Sequence, residues 1–221
     1  MPQVRVRYNH ICMNKDNRSL FVLLSGRGSN FIAIHEAIAS GALNATIAGV
    51  LSNIPDAPGL AKAREFGYPT HAVPNKAYPS RREHELAVEA LVDAAVPRFI
   101  VLAGYMRILG PEFIHKYRHR ILNIHPALLP SFPGVHAQKQ AFDYGAKLSG
   151  CTVHFVDEGV DTGPVILQKA VPVYNADTLE DVEARILEQE HRAYAEAIGL
   201  LLDSQWEIRE RRLVVAGNKS I

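Results

Sequence analysis

Ser19-Leu20-Phe21-Val22-Leu23-Leu24-Ser25, running straight into Gly26-Arg27-Gly28-Ser29-Asn30, is the stretch on which the fold class turns. A short apolar run that ends in glycine reads as a strand buried on both faces and entering a tight turn, the pattern of a parallel sheet. Residues 31–40 then read as a helix, and the unit recurs. Strands are expected at 46–52, 70–73 and 99–103, and helices at 60–66 and 81–95, the latter with Leu86, Val88, Leu91 and Val92 at its apolar positions. Strands alternating with helices imply right-handed crossovers and a single α/β domain over 18–221. It is an open, mostly parallel twisted sheet with helices on both faces, Rossmann-like.

The later half departs from this rhythm. A short helix near 111–117 precedes a strand at 121–124, a proline-rich loop through Gly134 and a helix around 138–145. Two strands at 151–156 and 165–173 and a long helix at about 178–203 follow. There is no internal repeat. The 221 residues carry 48% hydrophobic and 21% charged side chains and a net charge of +1, which fits a globular chain and excludes disorder. Lysine and arginine interleave with aspartate and glutamate, so no basic stripe suggests a nucleic-acid or membrane partner. Cys12 and Cys151 lie far apart with no metal-ligand spacing around either, which reads as free thiols in a reducing cytoplasm. Residues 1–17 lack the apolar core of a secretory signal and read as a flexible extension. A transit peptide, or a true start at Met13, is the alternative.

Gly26 to Asn30 sits between a strand and a helix, where backbone N–H groups and the helix dipole converge, a geometry suited to phosphate. A dinucleotide fingerprint would need glycine where Phe31 stands and an acidic residue after the second strand, which ends Leu51-Ser52-Asn53. A phosphomonoester is therefore preferred to NAD. The competing structural reading is a sterically required turn with Ser29 or Asn30 as helix cap.

Leu122-Asn123-Ile124-His125-Pro126 carries the chemistry. In a strand, Asn123 and His125 share one face, so an amide donor and an imidazole address one atom, and Pro126 restrains His125 toward extended backbone. A packed core histidine is the competing reading. Asp157-Glu158-Gly159-Val160-Asp161-Thr162-Gly163-Pro164 is an acidic turn between two strands. If it folds over the carboxyl edge of the sheet, Asp161 reaches His125 and fixes its orientation; a solvated acidic turn is the alternative. No metal is expected, because His125, Asp157 and Asp161 lack the second histidine or cysteine a transition metal favours. On the last helix the apolar stripe Leu179, Val182, Ile186, Tyr194, Ala197 and Leu201 is interrupted by Glu190. An inward carboxylate is there as one half of a salt bridge or as a ligand for hydroxyls or an amine.

From about Ser19 onward the chain resembles the phosphoribosylglycinamide formyltransferases, a family of folate-dependent transformylases. SGRGSN at 25–30, LAGYMRIL at 102–109, ILNIHPALLPSFPG at 121–134 and GCTVHFVDEGVDTGPVILQ at 150–168 are each similar to a family stretch, in the family's order. The resemblance implies a cytoplasmic enzyme of purine biosynthesis, moving a formyl group from 10-formyltetrahydrofolate to the amine of 5-phosphoribosylglycinamide. It implies Asn123, His125 and Asp161 as the catalytic trio, Gly28, Ser29 and Asn30 at the substrate phosphate, and Glu190 at its ribose hydroxyls. It places Arg81, Met106, Arg107, Ile108, Leu109, Asn123, Asp157, Glu158, Gly159, Val160 and Asp161 around the folate. Arg82 stands where an acidic residue is more usual, and residues 1–17 have no counterpart. The family's tRNA-directed and hydrolytic branches are expected to need further domains, for which 221 residues leave little room. A non-catalytic phosphosugar-binding module is the rival outside the family. Monomer and homodimer are both compatible with the sequence.

Overall fold

The computed structural model describes residues 17–216. The extension expected at 1–17, and Cys12 with it, falls outside these except for Asn17. That residue is held: its side chain accepts from Ser19 N (3.0 Å) and donates to Val96 O (2.8 Å).

The first apolar run forms β1 (Ser19–Leu24), and the alternation continues through α1 (Ser29–Ala39), β2 (Thr46–Ser52), α2 (Pro58–Glu65), β3 (Thr70–Ala72), α3 (Arg81–Ala95), β4 (Phe99–Leu102), α4 (Pro111–Lys116) and β5 (Ile121–His125). These five strands pair in parallel in the order β3-β2-β1-β4-β5. Beyond β5 the direction reverses. After α5 (Ala137–Tyr144), β6 (Leu148–Phe155) runs antiparallel to β5 and to β7 (Val165–Pro172), and α6 (Leu179–Asp203) returns over the sheet. A hairpin, β8 (Trp206–Arg209) and β9 (Arg212–Val215), adds the last two strands, so one nine-stranded sheet ends β6-β7-β9-β8.

Successive residues of β1 point to opposite faces. Leu20, Val22 and Leu24 pack with Phe31, Ile34, Val182, Ile186 and Tyr194 in one core, while Phe21 and Leu23 pack with Val88, Val92, Ile100 and Phe113 in the other. Helices thus cover both faces, and the α/β class read from the sequence holds. Two expectations change. The hairpin at 206–215 was not anticipated, and β6 begins at Leu148 rather than 151. At Gly150 the neighbouring strand comes close: a Cβ at this position would lie 2.0 Å from Lys169 O.

α6 begins with a reciprocal cap, Thr178 and Asp181 each bonding the other's backbone N–H. Its fully buried Tyr194 hydroxyl lies 3.0 Å from Leu102 O, at the end of β4, and 2.9 Å from Leu122 O, in the first half of β5. That contact locks α6 over the carboxyl edge of the parallel strands and sets Glu190, one turn earlier, at the same edge.

Candidate functional site

The glycine turn closes around two glycines. Gly28 has φ +72°, in the left-handed region, and a Cβ there would meet Gly59 Cα at 3.0 Å and Leu24 Cδ2 at 3.2 Å. Gly59 N in turn donates to Gly26 O (3.0 Å), tying α2 to the turn. Gly28 itself is the N-cap of α1, and no side chain caps the helix, so the reading of Ser29 or Asn30 as cap does not hold. With no acidic residue in its first turn, α1 presents its positive end to a cavity of about 300 Å³ formed by residues 25–30, Ala103, Gly104 and Met106.

Glu190 projects toward this turn from α6. It is 6% exposed and has no salt-bridge partner among the described residues; Asn30 Nδ2 donates to its Oε2 at 2.9 Å. Burial pushes the carboxyl up to about 7, against the lowering effect of that hydrogen bond. Of the two readings, the salt bridge is absent among the described residues. Asn30 Oδ1 is buried without a partner beside it.

At the other side of the edge, β5 sets Asn123 and His125 on one face. The acidic turn between β6 and β7 folds over them. Asp161, at φ +54°, brings Oδ2 to 3.3 Å from His125 Nδ1 and accepts from Gly134 N at 2.8 Å. His125 is 4% exposed, and its Nε2 donates to Phe132 O (2.8 Å). Both ring nitrogens thus face oxygen atoms, Nε2 in a hydrogen bond and Nδ1 at ion-pair distance from the carboxylate.

His154 completes the cluster, and sequence reasoning missed it. It is the cross-strand neighbour of Asn123, and directly opposed residues share a face. It is 1% exposed, and Nδ1 donates to Phe155 O (2.9 Å), so the neutral ring offers Nε2 to Asn123 Nδ2 at 3.2 Å. Burial holds its pKa below the ordinary range, although Asp161 Oδ1, 3.6 Å away, acts in the opposite sense. The GCTVHFV stretch contained the signal, because period-two alternation from Thr152 puts His154 on the face that Asn123 and His125 use. Thr152 and Gln168 were missed as well. Thr152 Oγ1 donates to Ala127 O (2.7 Å) and accepts from Leu129 N (3.0 Å), and Gln168 Nε2 donates to Leu129 O (2.9 Å), fixing the loop after His125.

The residues expected around a folate divide between two walls. Met106, Arg107, Ile108 and Leu109 form an irregular segment after β4, with Met106 76% and Ile108 71% exposed and Leu109 buried. Arg81 lies at the start of α3 with Nε 3.8 Å from Glu85 Oε1, which also accepts from Gly110 N (2.7 Å), so Arg81 is brought to the end of that segment. Arg82 pairs with Glu89 instead. On the opposite wall Asp157 Oδ1 accepts from Thr162 Oγ1 (2.5 Å) and Gly159 N (3.2 Å), winding the turn tightly, while Glu158 pairs with His115 and Val160 is exposed. Among the described residues, no three His, Cys, Asp or Glu side chains group as metal ligands. No helix among them is long and apolar enough to cross a membrane.

Residues 18–198 match the family model described as formyl transferase. Phosphoribosylglycinamide formyltransferase of Escherichia coli K12 is 40% identical over 201 residues, 91% of this chain and 95% of that one. The Bacillus subtilis protein of the same name is 42% identical over 181 residues, 82% of this chain and 93% of that one. The crystal structure of glycinamide ribonucleotide transformylase 1 from Symbiobacterium toebii superposes with TM-score 0.88 at 43% identity, covering 94% of this chain and 98% of that one. With a glycine turn, an Asn-x-His strand and an acidic turn meeting at one sheet edge, and relatives matched over nearly their whole length, the chain belongs to the formyl transferase family.

Proposed function

We propose that the protein transfers the formyl group of 10-formyltetrahydrofolate to the amine of 5-phosphoribosylglycinamide in purine biosynthesis. The observation that carries this reading is the Asp161 carboxylate 3.3 Å from His125, with Asn123 beside it on the same strand face. The substrate phosphate is held by the N–H groups of Gly28, Ser29 and Asn30, and the ribose hydroxyls by Glu190. The folate lies between the 106–109 segment, with Arg81 at its end, and the 157–161 turn. The N-terminal half of a single domain then supplies the phosphate site and the C-terminal half the folate and catalytic groups. The enzyme works in the cytoplasm as a monomer or homodimer, with no nucleic acid or membrane partner.

Attack of the amine nitrogen on the formyl carbon forms the new C–N bond and places negative charge on the formyl oxygen. Asn123 Nδ2, oriented by His154, and protonated His125 donate to that oxygen; His125 does so by exchanging its bond to Phe132 O, which requires the turn at 132–134 to shift. As the bond to the folate nitrogen breaks, the proton lost by the amine passes to that nitrogen through water ordered by Asp161. Preorganised donors of this kind contribute about 2.7–4 kcal/mol each when removed singly, a factor of roughly 10² to 10³ in rate. His125→Ala and Asp161→Asn are therefore expected to lower kcat by that order with the KM for the phosphorylated amine nearly intact, followed as absorbance when tetrahydrofolate forms. Parent-like rates in both variants refute the assignment, and saturable binding of the phosphorylated amine without turnover in the parent chain identifies a phosphosugar-binding module.

A further inference from the structure

The segment 106–109 belongs to neither a strand nor a helix, yet two of its apolar side chains, Met106 and Ile108, stand largely in solvent. An irregular backbone that displays apolar groups needs something to hold it, since each residue otherwise keeps its freedom. The hold comes from two side chains distant in sequence. Met106 N donates to Ser25 Oγ at 2.8 Å, across 81 residues, and Gly110 N donates to Glu85 Oε1 at 2.7 Å, across 25.

Both anchors are themselves fixed. The Ser25 hydroxyl spends its proton on Asn53 Oδ1 (2.5 Å), which leaves its lone pairs for Met106 N–H; Asn53 is buried and its Nδ2 donates onward to Asn75 Oδ1 (3.1 Å). Glu85 is 3% exposed, and its nearest cation is Arg81 Nε at 3.8 Å. A carboxylate buried so completely is unfavourable unless it receives strong hydrogen bonds. Glycine at 110 is what allows the approach, for a Cβ there would lie 2.7 Å from Glu85 Oε2.

We infer that Ser25 and Glu85 are positioning residues that splint the 106–109 segment from its two ends, preforming an apolar rim for the flat heteroaromatic part of the folate. This inference rests on the reading of that segment as a folate wall. A rim ordered beforehand spares the ligand the ordering entropy on binding, so the splint acts on folate affinity and not on the chemical step. Because Met106 also walls the cavity at the glycine turn, the Ser25 bond joins the two substrate sites through one main-chain amide.

The test uses the full chain with Ser25→Ala, Glu85→Leu and Glu85→Gln, measuring KM for 10-formyltetrahydrofolate, KM for the phosphorylated amine, kcat, and amide hydrogen exchange at Met106 and Gly110. Loss of either anchor is expected to raise the folate KM about 5- to 10-fold and to speed exchange at the amide it held by at least about tenfold, with kcat within about twofold in the Glu85 variants. For Glu85→Leu the KM for the amine stays at the parent value, and Glu85→Gln, which keeps an acceptor oxygen, recovers most of the loss. Removing both anchors raises the folate KM by less than the product of the single effects, because one free end already releases the segment. Unchanged folate KM with unchanged exchange in Ser25→Ala overturns the proposal. So does a fall in kcat with folate KM constant, or a loss of thermal stability in the Glu85 variants with KM unchanged, the result expected if Glu85 only caps α4. Where Glu85→Leu does not fold, Glu85→Gln and Ser25→Ala decide. If the parent transfers no formyl group, the functional reading fails while the exchange measurements still decide the splint.

Discussion

Replacing Glu190 with glutamine should make the protein more tolerant of alkaline pH, by an amount that follows from the burial of the carboxyl. The group ionises at about 7 in the fold, against 4.5 for an ordinary glutamate, so the folded chain keeps a proton that the unfolded chain releases in between. Stability contributed by this group is full below about 4.5, falls as pH rises through the window, and is lowest above 7. At about 1.4 kcal/mol for each pH unit, the loss is about 3 kcal/mol by pH 8. Glutamine has no proton to lose and keeps an oxygen for Asn30 Nδ2. Urea unfolding of parent and Glu190→Gln at pH 5 and pH 8 checks this: the parent should lose up to about 3 kcal/mol more than the variant between the two pH values, or roughly 6–12 °C in Tm. A difference below about 0.5 kcal/mol would refute the view that the carboxylate is held against its own solvation for the sake of ligand hydroxyls.

The same titration reaches function. The KM for the phosphorylated amine should rise as pH falls from 8 to 6, by up to about tenfold as Glu190 protonates, with the dependence flattened in Glu190→Gln; an identical profile in the variant assigns it to another group. Gly28→Ala forces a side chain into a left-handed position 3.0 Å from the Gly59 backbone, and should lower stability by about 1–3 kcal/mol in denaturant titration while raising the amine KM more than the folate KM. Tyr194→Phe removes the hydroxyl proton shared by the carbonyls of Leu102, the last residue of β4, and Leu122, near the start of β5, which should cost about 0.5–1.5 kcal/mol by the same measurement.

The alternating core was readable because β1 is apolar on both faces, which only a sheet covered twice can use. The site was readable where function presses on local rules: a glycine pair after a strand, an amide and an imidazole two residues apart, a carboxylate in an apolar stripe. The signals failed where tertiary contact replaced local chemistry. The 206–215 hairpin turns at Glu210 (φ +57°) and Arg211, without the Asn-Gly or Asp-Gly pair that marks a two-residue turn, and α3 ends on Val96 in the left-handed region instead of on glycine. Glu85 was invisible for a different reason, and the alternation that marks His154 did not name its partner. Each acts through a backbone or side-chain atom of another element, and that pairing exists only once the register of β5 with β6, or the packing of α3 beneath residue 110, is known.

The two outermost strands set how copies of this molecule meet. At one margin β3 offers only three residues, and at the other β8 shows Glu207 and Arg209, ion-paired and exposed, to any incoming chain. A stray strand would find too few free amides on the first side and would bury that ion pair on the second. Concentrated stocks should accordingly resist fibrillar growth by sheet extension at these two margins.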